Sequence, residues 1–512
     1  MLRKLQITGN TRLNNLDLRE PYQELLKPFV VLIGQQVSFQ QLNDAAATAQ
    51  AAIRNRGYIT SLVLIPEQSF ANGVLRVQVV ESFVERLSLQ GGGNALQAYA
   101  RKMLQPVVGE PGEQRLFNMH NLERQLLLIR AFGAVDVKAT LYRGKQFGGS
   151  ELVAVIQPTR PSASLLSDNN LPLQLGSWRL GALLQGYVAS SQPIKIVAIG
   201  NNAFSVPGGF ADGFVQAQSP LGNQGWLSDV LWGTTSTNSK DLLNGPNSLQ
   251  TGGLSNYWSA GISYPLVVRR NAMLTLGLKG TLQNSSNDLF INGEHILDLG
   301  TDRIRAVRLT LDGYAVSRKA INQLGFVLSQ GFSGLGSNLA ANEQLSNLNG
   351  APNFTTARLN LSRQQQIASI GQSVTLATLK GSAQASRTAL PVPEQFTYGG
   401  PVLGRAFNSA YLLGDQGWAG SFELGQRFVL SSGLRGTSLM PFAWYDYGFT
   451  NGLESDLPNQ AAATYGIGAR GGLLGGDTNI EVGWGMPSTN TLQPRRTGVG
   501  NSIVYFKLGM KF

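Results

Sequence analysis

The chain has 512 residues, of which 61 are glycine, about 12% against a usual ~7%. Charged residues are only 14% against a usual ~25%, which is too few to cover a large soluble enzyme comfortably. Cysteine is absent and only His120 and His295 are histidines, so we expect no disulfide, no metal site and no cofactor. The net charge of +11 forms no dense basic stripe, which argues against a nucleic-acid partner.

The charge is unevenly distributed along the chain. Residues 1–160 contain 18 Lys and Arg and 12 Asp and Glu, about 19% charged, which is typical of a soluble α+β region. Residues 161–512 contain 23 and 18, about 12%. No apolar run approaches the ~20 residues of a membrane helix. Disorder, a soluble all-β fold and a membrane β-barrel remain, and an aromatic content of 8% with recurrent strand-like alternation disfavours disorder.

Residues 1–160 predict the same small unit twice, in the order β-α-α-β-β. In the first copy, Ser38 and Gln41 have the spacing of a capping box at a helix start, and Gly57 ends that helix. Strands are predicted at 5–10, 59–66, 74–81, 85–90, 135–142 and 151–157. Helices are predicted from Ser38 to Arg56, at 96–104 and from Asn118.

Residues 161–512 alternate apolar and polar residues over segments of about ten, which is typical of strands in a membrane barrel. Sixteen strands are predicted, centred near residues 165, 183, 199, 215, 230, 261, 277, 309, 326, 358, 377, 423, 442, 467, 481 and 507. Longer loops are predicted at 238–255, 284–302, 333–352 and 385–416. The last strand ends on Phe512, with Val504, Phe506, Leu508 and Met510 on the same face.

Two motifs in the barrel region pair chemically. The predicted loop at 385–416 contains Gly404-Arg405-Ala406-Phe407, and the strand near 442 contains Trp444-Tyr445-Asp446-Tyr447-Gly448. Alternation places Trp444 and Asp446 on the lumen side, where a carboxylate suits a planar guanidinium. Alone, Arg405 would equally suit a solvated loop.

These motifs carry a resemblance to a known family. Arg56-Gly57-Tyr58, Ile65-Pro66-Glu67-Gln68 and Gly73-Val74-Leu75-Arg76-Val77 resemble the first POTRA (polypeptide-transport-associated) domain of two-partner-secretion transporters. The two barrel motifs resemble the sixth loop of the POTRA–barrel superfamily and its wall partner, although the loop's common Val-Arg-Gly-aromatic core reads Gly-Arg-Ala-Phe here. A terminal Phe512 resembles the C-terminal signal of outer-membrane barrels.

The resemblance implies the whole architecture: POTRA domain 1 at 1–82, POTRA domain 2 at 83–160, and a 16-stranded antiparallel transmembrane barrel at 161–512. It implies a non-enzymatic outer-membrane translocator with its POTRA domains in the periplasm. The cargo would be an unfolded exoprotein, an adhesin or cytolysin that folds as a β-helix. Outer-membrane lipid and the barrel-assembly machinery are the other expected partners of a monomer. Arg405 would pair with Asp446 inside the lumen.

Alternatives stay open at this point. An outer-membrane assembly insertase of the same superfamily usually has more POTRA units, a passive porin has none, and a soluble all-β hydrolase would need a nucleophile and base that the sequence does not show. No signal peptide precedes Met1, and because this class must be exported we expect a shortened chain. His120 is expected to be structural, His295 to lie in a loop, and Glu423 with Arg427 to add lumen polarity.

Overall fold

The computed structural model describes ten stretches of the chain. They are residues 1–9, 27–69, 71–110, 113–239, 248–338, 345–430, 437–453, 459–473, 477–490 and 502–512. The chain divides into two compact units: residues 1–159 with 189–193 and 220–225 form the first, and the remaining residues form the second.

The first unit begins with a three-stranded sheet covered by a helix. Its elements are β1 (Lys4–Thr8), α1 (Phe39–Asn55), β2 (Leu62–Leu64) and β3 (Val74–Val80), with strand order β1-β3-β2. Ser38 and Gln41 form the predicted capping box, each side chain accepting from the other's backbone N–H. Apolar residues of α1 and β3, including Ile53 and Val77, are buried together in the core. The predicted order includes a second helix in this module for which no residues are predicted, and residues 27–30 are helical.

The second module repeats the plan. Its elements are β4 (Phe83–Gly91), α2 (Gly93–Val108), α3 (Met119–Phe132), β5 (Val135–Arg143) and β6 (Gly149–Pro158), with strand order β4-β6-β5. The helix predicted at 96–104 is longer at both ends. The backbone N–H groups of Lys145 and Gln146 donate to the Glu85 carboxylate and lower its pKa. Among the described helices, none is long and apolar enough to cross a membrane.

The second unit is a closed antiparallel barrel of sixteen strands, an even number as in bacterial outer-membrane barrels. Each predicted strand centre falls within one of them. The strands are β7 (Ser162–Asp168), β8 (Arg179–Val188), β9 (Ile194–Ala203), β10 (Phe210–Leu221), β11 (Trp226–Asn238), β12 (Leu249–Arg269), β13 (Ala272–Ile291), β14 (Glu294–Val316), β15 (Ala320–Gly331), β16 (Thr355–Ile370), β17 (Ser373–Ser386), β20 (Gln416–Val429), β21 (Ser438–Asn451), β22 (Gln460–Leu473), β23 (Thr478–Asn490) and β24 (Ile503–Lys511). Two short strands, β18 (Phe396–Tyr398) and β19 (Leu412–Gly414), lie in the loop between β17 and β20.

Alternation along the barrel strands separates an apolar outer face from a polar inner one. On β20, Trp418, Phe422 and Leu424 are exposed, while Ser421 and Glu423 between them are buried. A strand alternates its side chains between the two faces of a sheet, so the exposed apolar set points outward and the buried polar set points into the barrel. This confirms the predicted lipid-facing and lumen-facing pattern.

One predicted loop is wrong, and another is too long, because residues 249–255 of the loop predicted at 238–255 belong to β12. Residues 284–302 do not form a loop, because β13 and β14 pair through this stretch and are joined only by Asn292 and Gly293. Both residues have positive φ, 52° and 82°, as a tight two-residue hairpin turn requires. The prediction used the many polar residues of this stretch and overlooked the Asn-Gly pair, which is typical of a two-residue hairpin turn. His295 therefore lies on β14, not in a loop.

Candidate functional site

The loop that joins β17 to β20, residues 387–415, folds against the inner wall of the barrel; we call it the inner loop. Its stem is the antiparallel pair β18 and β19. At its tip Gly404 has φ +83°, a conformation that a side chain would strain. This turn directs the backbone N–H groups of Gly404 and Arg405 toward Asp446 on β21. The Gly404 nitrogen lies 3.0 Å from the Asp446 Oδ2, and the Arg405 nitrogen lies 3.1 Å from the same oxygen.

The Arg405 guanidinium binds two wall carboxylates. Its Nε and Nη2 donate to the two oxygens of Asp446 at 3.1 and 3.0 Å, and its Nη1 donates to Glu423 at 2.6 Å. Nη2 also donates to the Ser421 hydroxyl at 3.0 Å. Arg405 is 5% exposed and Asp446 is 0% exposed. Removing one partner of an ion pair so withdrawn from water costs about 3–5 kcal/mol. We call this set of bonds the tip contact.

Aromatic side chains surround the tip contact. The Arg405 Cζ lies 4.3 Å from the centre of the Trp444 ring, a cation–π distance. Phe407 stacks on Tyr411, with ring centres 4.0 Å apart and planes 7° apart. Ala406 and Phe407 are both buried. The Trp444 ring covers one face of the guanidinium and reduces its contact with water, which strengthens its bonds to the wall.

Gly448 accommodates a ring of the inner loop. A Cβ added at Gly448 would lie 2.3 Å from the ring of Tyr398, which is itself fully buried. Gly448 lies two residues after Asp446, on the same face of β21. It must therefore remain without a side chain if the stem of the loop is to pack on this strand. The predicted motif thus places Trp444, Asp446 and Gly448 next to one another on the wall beneath the inner loop.

Sequence reasoning missed a row of charges on the neighbouring strands. Arg470 on β22 donates to both oxygens of Glu423, at 2.5 and 2.9 Å, and to Glu481 on β23 at 2.7 Å. Lys507 on β24 lies 3.8 Å from Glu481 and donates to the Pro401 carbonyl of the inner loop at 3.4 Å. Arg470 and Lys507 each sit directly opposite Glu481 in the strand register. Alternating charges at paired positions were the available signal, but they require the register to be known.

The remaining candidate residues lie away from the inner loop. The backbone of Phe512 pairs with Ala163 where β24 meets β7, and its side chain is 67% exposed. The His120 N–H is bonded to the Asn118 cap of α3. His295 lies 2.8 Å from Asp298, and these two with Asp288 are the acidic and histidine group of the described residues whose spacing could hold a metal. The side chains of these three residues are between 30% and 60% exposed.

Two family models match this chain. One describes the ShlB-type POTRA domain and matches residues 1–82; the other describes the haemolysin secretion/activation protein ShlB/FhaC/HecB and matches residues 231–471. The outer membrane transporter CdiB of Dickeya dadantii (strain 3937) is 21% identical over 496 residues, which are 93% of this chain and 81% of that protein. CdiB of Escherichia coli is 25% identical over 179 residues, 35% of this chain and 28% of that protein.

Solved structures show the same fold. CdiB from Escherichia coli has a TM-score of 0.77 at 19% identity, and CdiB from Acinetobacter baumannii has 0.72 at 14%. Each comparison covers 100% of this chain and 90% of the other. BamA from Haemophilus ducreyi lacking POTRA domains 1–3 has a TM-score of 0.51 at 12% identity, with 100% of both chains covered.

The N-terminal modules, the closed barrel and the inner loop define an outer-membrane transporter with POTRA domains. Its function is two-partner secretion, the export of a partner exoprotein across the outer membrane. Residues 231–471 are similar to the haemolysin secretion/activation proteins of this class, and residues 1–82 to their ShlB-type POTRA domain. These similarities favour a secretion transporter over the porin and soluble-hydrolase alternatives.

Proposed function

We propose that this transporter moves one unfolded exoprotein, an adhesin or cytolysin that folds as a β-helix outside the cell, through the lumen of a monomeric barrel. The domains are residues 1–82 and 83–160, both in the periplasm, and 161–512 in the membrane. The tip contact holds the inner loop in the lumen at rest, and its release opens the path. No catalytic residue takes part, and folding of the cargo outside supplies direction.

The buried bonding of Arg405 carries this proposal. The guanidinium makes four hydrogen bonds to the wall, and its main chain adds a fifth to Asp446. A loop kept only by surface contacts would exchange freely, since exposed ion pairs contribute about 0–1 kcal/mol. A buried, bidentate pair instead gives two distinct positions of the loop, bound and released.

The second module offers a place for cargo to bind. Strand order β4-β6-β5 leaves β4 at the edge of its sheet, and an edge strand presents unpaired backbone groups that an extended peptide can bind. A cavity of about 730 Å³ lies between β4 and α2, lined by residues that include Leu87, Ala98 and Lys102. The chain already uses this edge once, because Leu116 forms an antiparallel bridge with Phe83. These features support capture of the cargo as an added strand.

Biogenesis involves the end of the chain. Phe512, which is exposed at the end of β24, is proposed to be read by the barrel-assembly machinery. The exposed apolar residues of the strands are proposed to contact outer-membrane lipid.

Replacing Arg405 tests the role of the inner loop. Arg405→Ala is expected to abolish export of the partner exoprotein while the barrel still reaches the outer membrane, detected by heat-modifiable migration on a gel. Arg387→Ala is the matched control, because Arg387 is an exposed arginine of the same loop. Normal export by Arg405→Ala would refute the assigned role. General defects in other barrels, instead of loss of one exoprotein, would favour the insertase alternative.

A further inference from the structure

The inner loop has a second ion pair with the wall. Glu394, in its first half, accepts from Arg308 on β14, with Nη2–Oε1 at 2.5 Å and Nη1–Oε2 at 3.2 Å. The Glu394 side chain is 6% exposed and that of Arg308 is 18% exposed. The two bonds run in parallel, the geometry in which a guanidinium recognises a carboxylate most specifically. We call this pair the base contact.

The wall positions Arg308 independently of the loop. Its Nη1 donates to the Ser329 hydroxyl of β15 at 2.8 Å, and its Nε donates to the Thr281 hydroxyl of β13 at 3.3 Å. Arg308 therefore bridges three adjacent strands before Glu394 is added. The carboxylate binds a guanidinium already held in place, so less side-chain entropy is lost when the pair forms.

The base and tip contacts have opposite polarity and different places in the barrel. At the tip contact the loop supplies the cation, and β20 and β21 supply the carboxylates. At the base contact the loop supplies the carboxylate and β14 supplies the cation. Strands β15, β16 and β17 lie between these two parts of the wall in the barrel order.

The backbone near Glu394 is bound more firmly than an ion pair alone would bind it. Gln384 on β17 donates to the Glu394 carbonyl at 2.9 Å. Asp415, at the far end of the inner loop and 1% exposed, accepts from the Leu390 N–H at 2.8 Å and from the Gln395 amide at 3.2 Å. These bonds join the first residues of the loop to its last residue and to the wall.

We propose that the base contact is a fixed anchor, which stays closed while the tip contact opens. The inner loop then turns about its base and clears the lumen without leaving the barrel altogether. Arg308 and Glu394 are positioning residues for the moving tip, because they set where Arg405 returns. This inference rests on the function proposed above for the inner loop.

Neutralising both partners tests the anchor without leaving a buried charge. Arg308→Gln with Glu394→Gln is expected to insert normally, to lose most export of the partner exoprotein, and to show larger openings in planar lipid bilayers than the unmodified protein, because the first half of the loop is then held without its ion pair to the wall. The charge swap Arg308→Glu with Glu394→Arg restores an ion pair and is expected to recover export and the smaller openings. A merely structural role in the wall would not change the size of the openings.

The matched control is an ion pair formed by two wall residues alone. Lys279 on β13 and Asp229 on β11 are 3.2 Å apart, and Lys279→Gln with Asp229→Asn removes their charges. This control is expected to export and conduct as the unmodified protein does. If the double Gln variant fails to insert, the swap variant decides.

Two outcomes separate this inference from the proposed function. Export and conductance at unmodified levels in the double Gln variant, with export lost in Arg405→Ala, would overturn the anchor alone. The same holds for a swap variant that inserts but recovers neither export nor opening size. Normal export by Arg405→Ala would instead overturn the role of the inner loop itself.

Discussion

The N-terminal modules bury apolar side chains and keep their described charged ones at least partly exposed, whereas the barrel buries several charged side chains and exposes many large apolar ones. Among the described residues 1–159, the buried polar side chains are Ser61, Ser82 and Gln125, none of them charged. In the barrel, buried residues include Asp229, Arg405, Glu423 and Asp446. The exposed side chains of the barrel strands include large apolar ones: Trp258, Trp418, Phe422, Tyr445 and Ile467.

The difference shows what each region uses its charges for. In the modules the apolar core provides stability, and ion pairs such as Arg130–Asp136 lie at the surface with about half of each side chain exposed. Such pairs contribute about 0–1 kcal/mol. In the barrel, buried ion pairs join the inner loop to the wall, and many large apolar side chains are exposed.

The largest expected difference comes from replacing an ion-paired aspartate by asparagine, once in the barrel and once in a module. Asp446→Asn leaves Arg405 without its fully buried carboxylate partner and is expected to cost about 3–5 kcal/mol of unfolding free energy in lipid vesicles. Asp136→Asn, the matched change in a module, is expected to cost about 0–1 kcal/mol. Denaturant titration of the two variants measures both. Equal costs would contradict the contrast between buried and exposed pairs.

A smaller effect is expected from placing a charge on exposed apolar positions. Ile467, near the middle of β22, is 60% exposed, and Ile467→Arg is expected to destabilise the barrel in lipid by about 2–4 kcal/mol. Phe147 in the second module is 76% exposed, and Phe147→Arg is expected to change stability by no more than about 0.5 kcal/mol. Exposure means lipid in one case and water in the other. If both variants unfold alike, the outer face of β22 does not meet lipid.

The smallest effect concerns a local feature of the first module. Ser38→Ala removes the side-chain half of the capping box of α1 and is expected to lower module stability by about 1 kcal/mol. Ser38→Gly should cost only a few tenths of a kcal/mol at the same position. Circular dichroism during thermal unfolding measures the helix. A change in the barrel's heat-modifiable migration would show that the two regions are not independent in this respect.

Periodicity predicted the barrel strands because each strand meets lipid on one side and water on the other, a constraint that repeats every second residue. Trp418, Phe422 and Leu424 show it directly. The prediction for 284–302 failed because the stretch does not alternate: residues 284–288 are all polar, and Leu289, Phe290 and Ile291 are consecutive apolar residues. The Asn292-Gly293 turn was the better guide.

The site divides in the same way. Arg405 and Asp446 could be predicted because each lies in a motif with a family resemblance, although their functional role stays a prediction. Arg470 and Arg308 could not, since their partners Glu423 and Glu394 are 47 and 86 residues away in the chain. Only strand order and register bring such residues together, and no local pattern of the sequence carries that information.

The close approach of Tyr398 to Gly448 makes the resting position of the inner loop depend on shape as well as on charge. A ring that lies flat on bare backbone is held by dispersion and by exclusion of water, neither of which dissolved ions screen. Bacterial surroundings range from fresh water to brine. The share of the loop's binding that this ring supplies would therefore not weaken as the ionic strength of the medium rises.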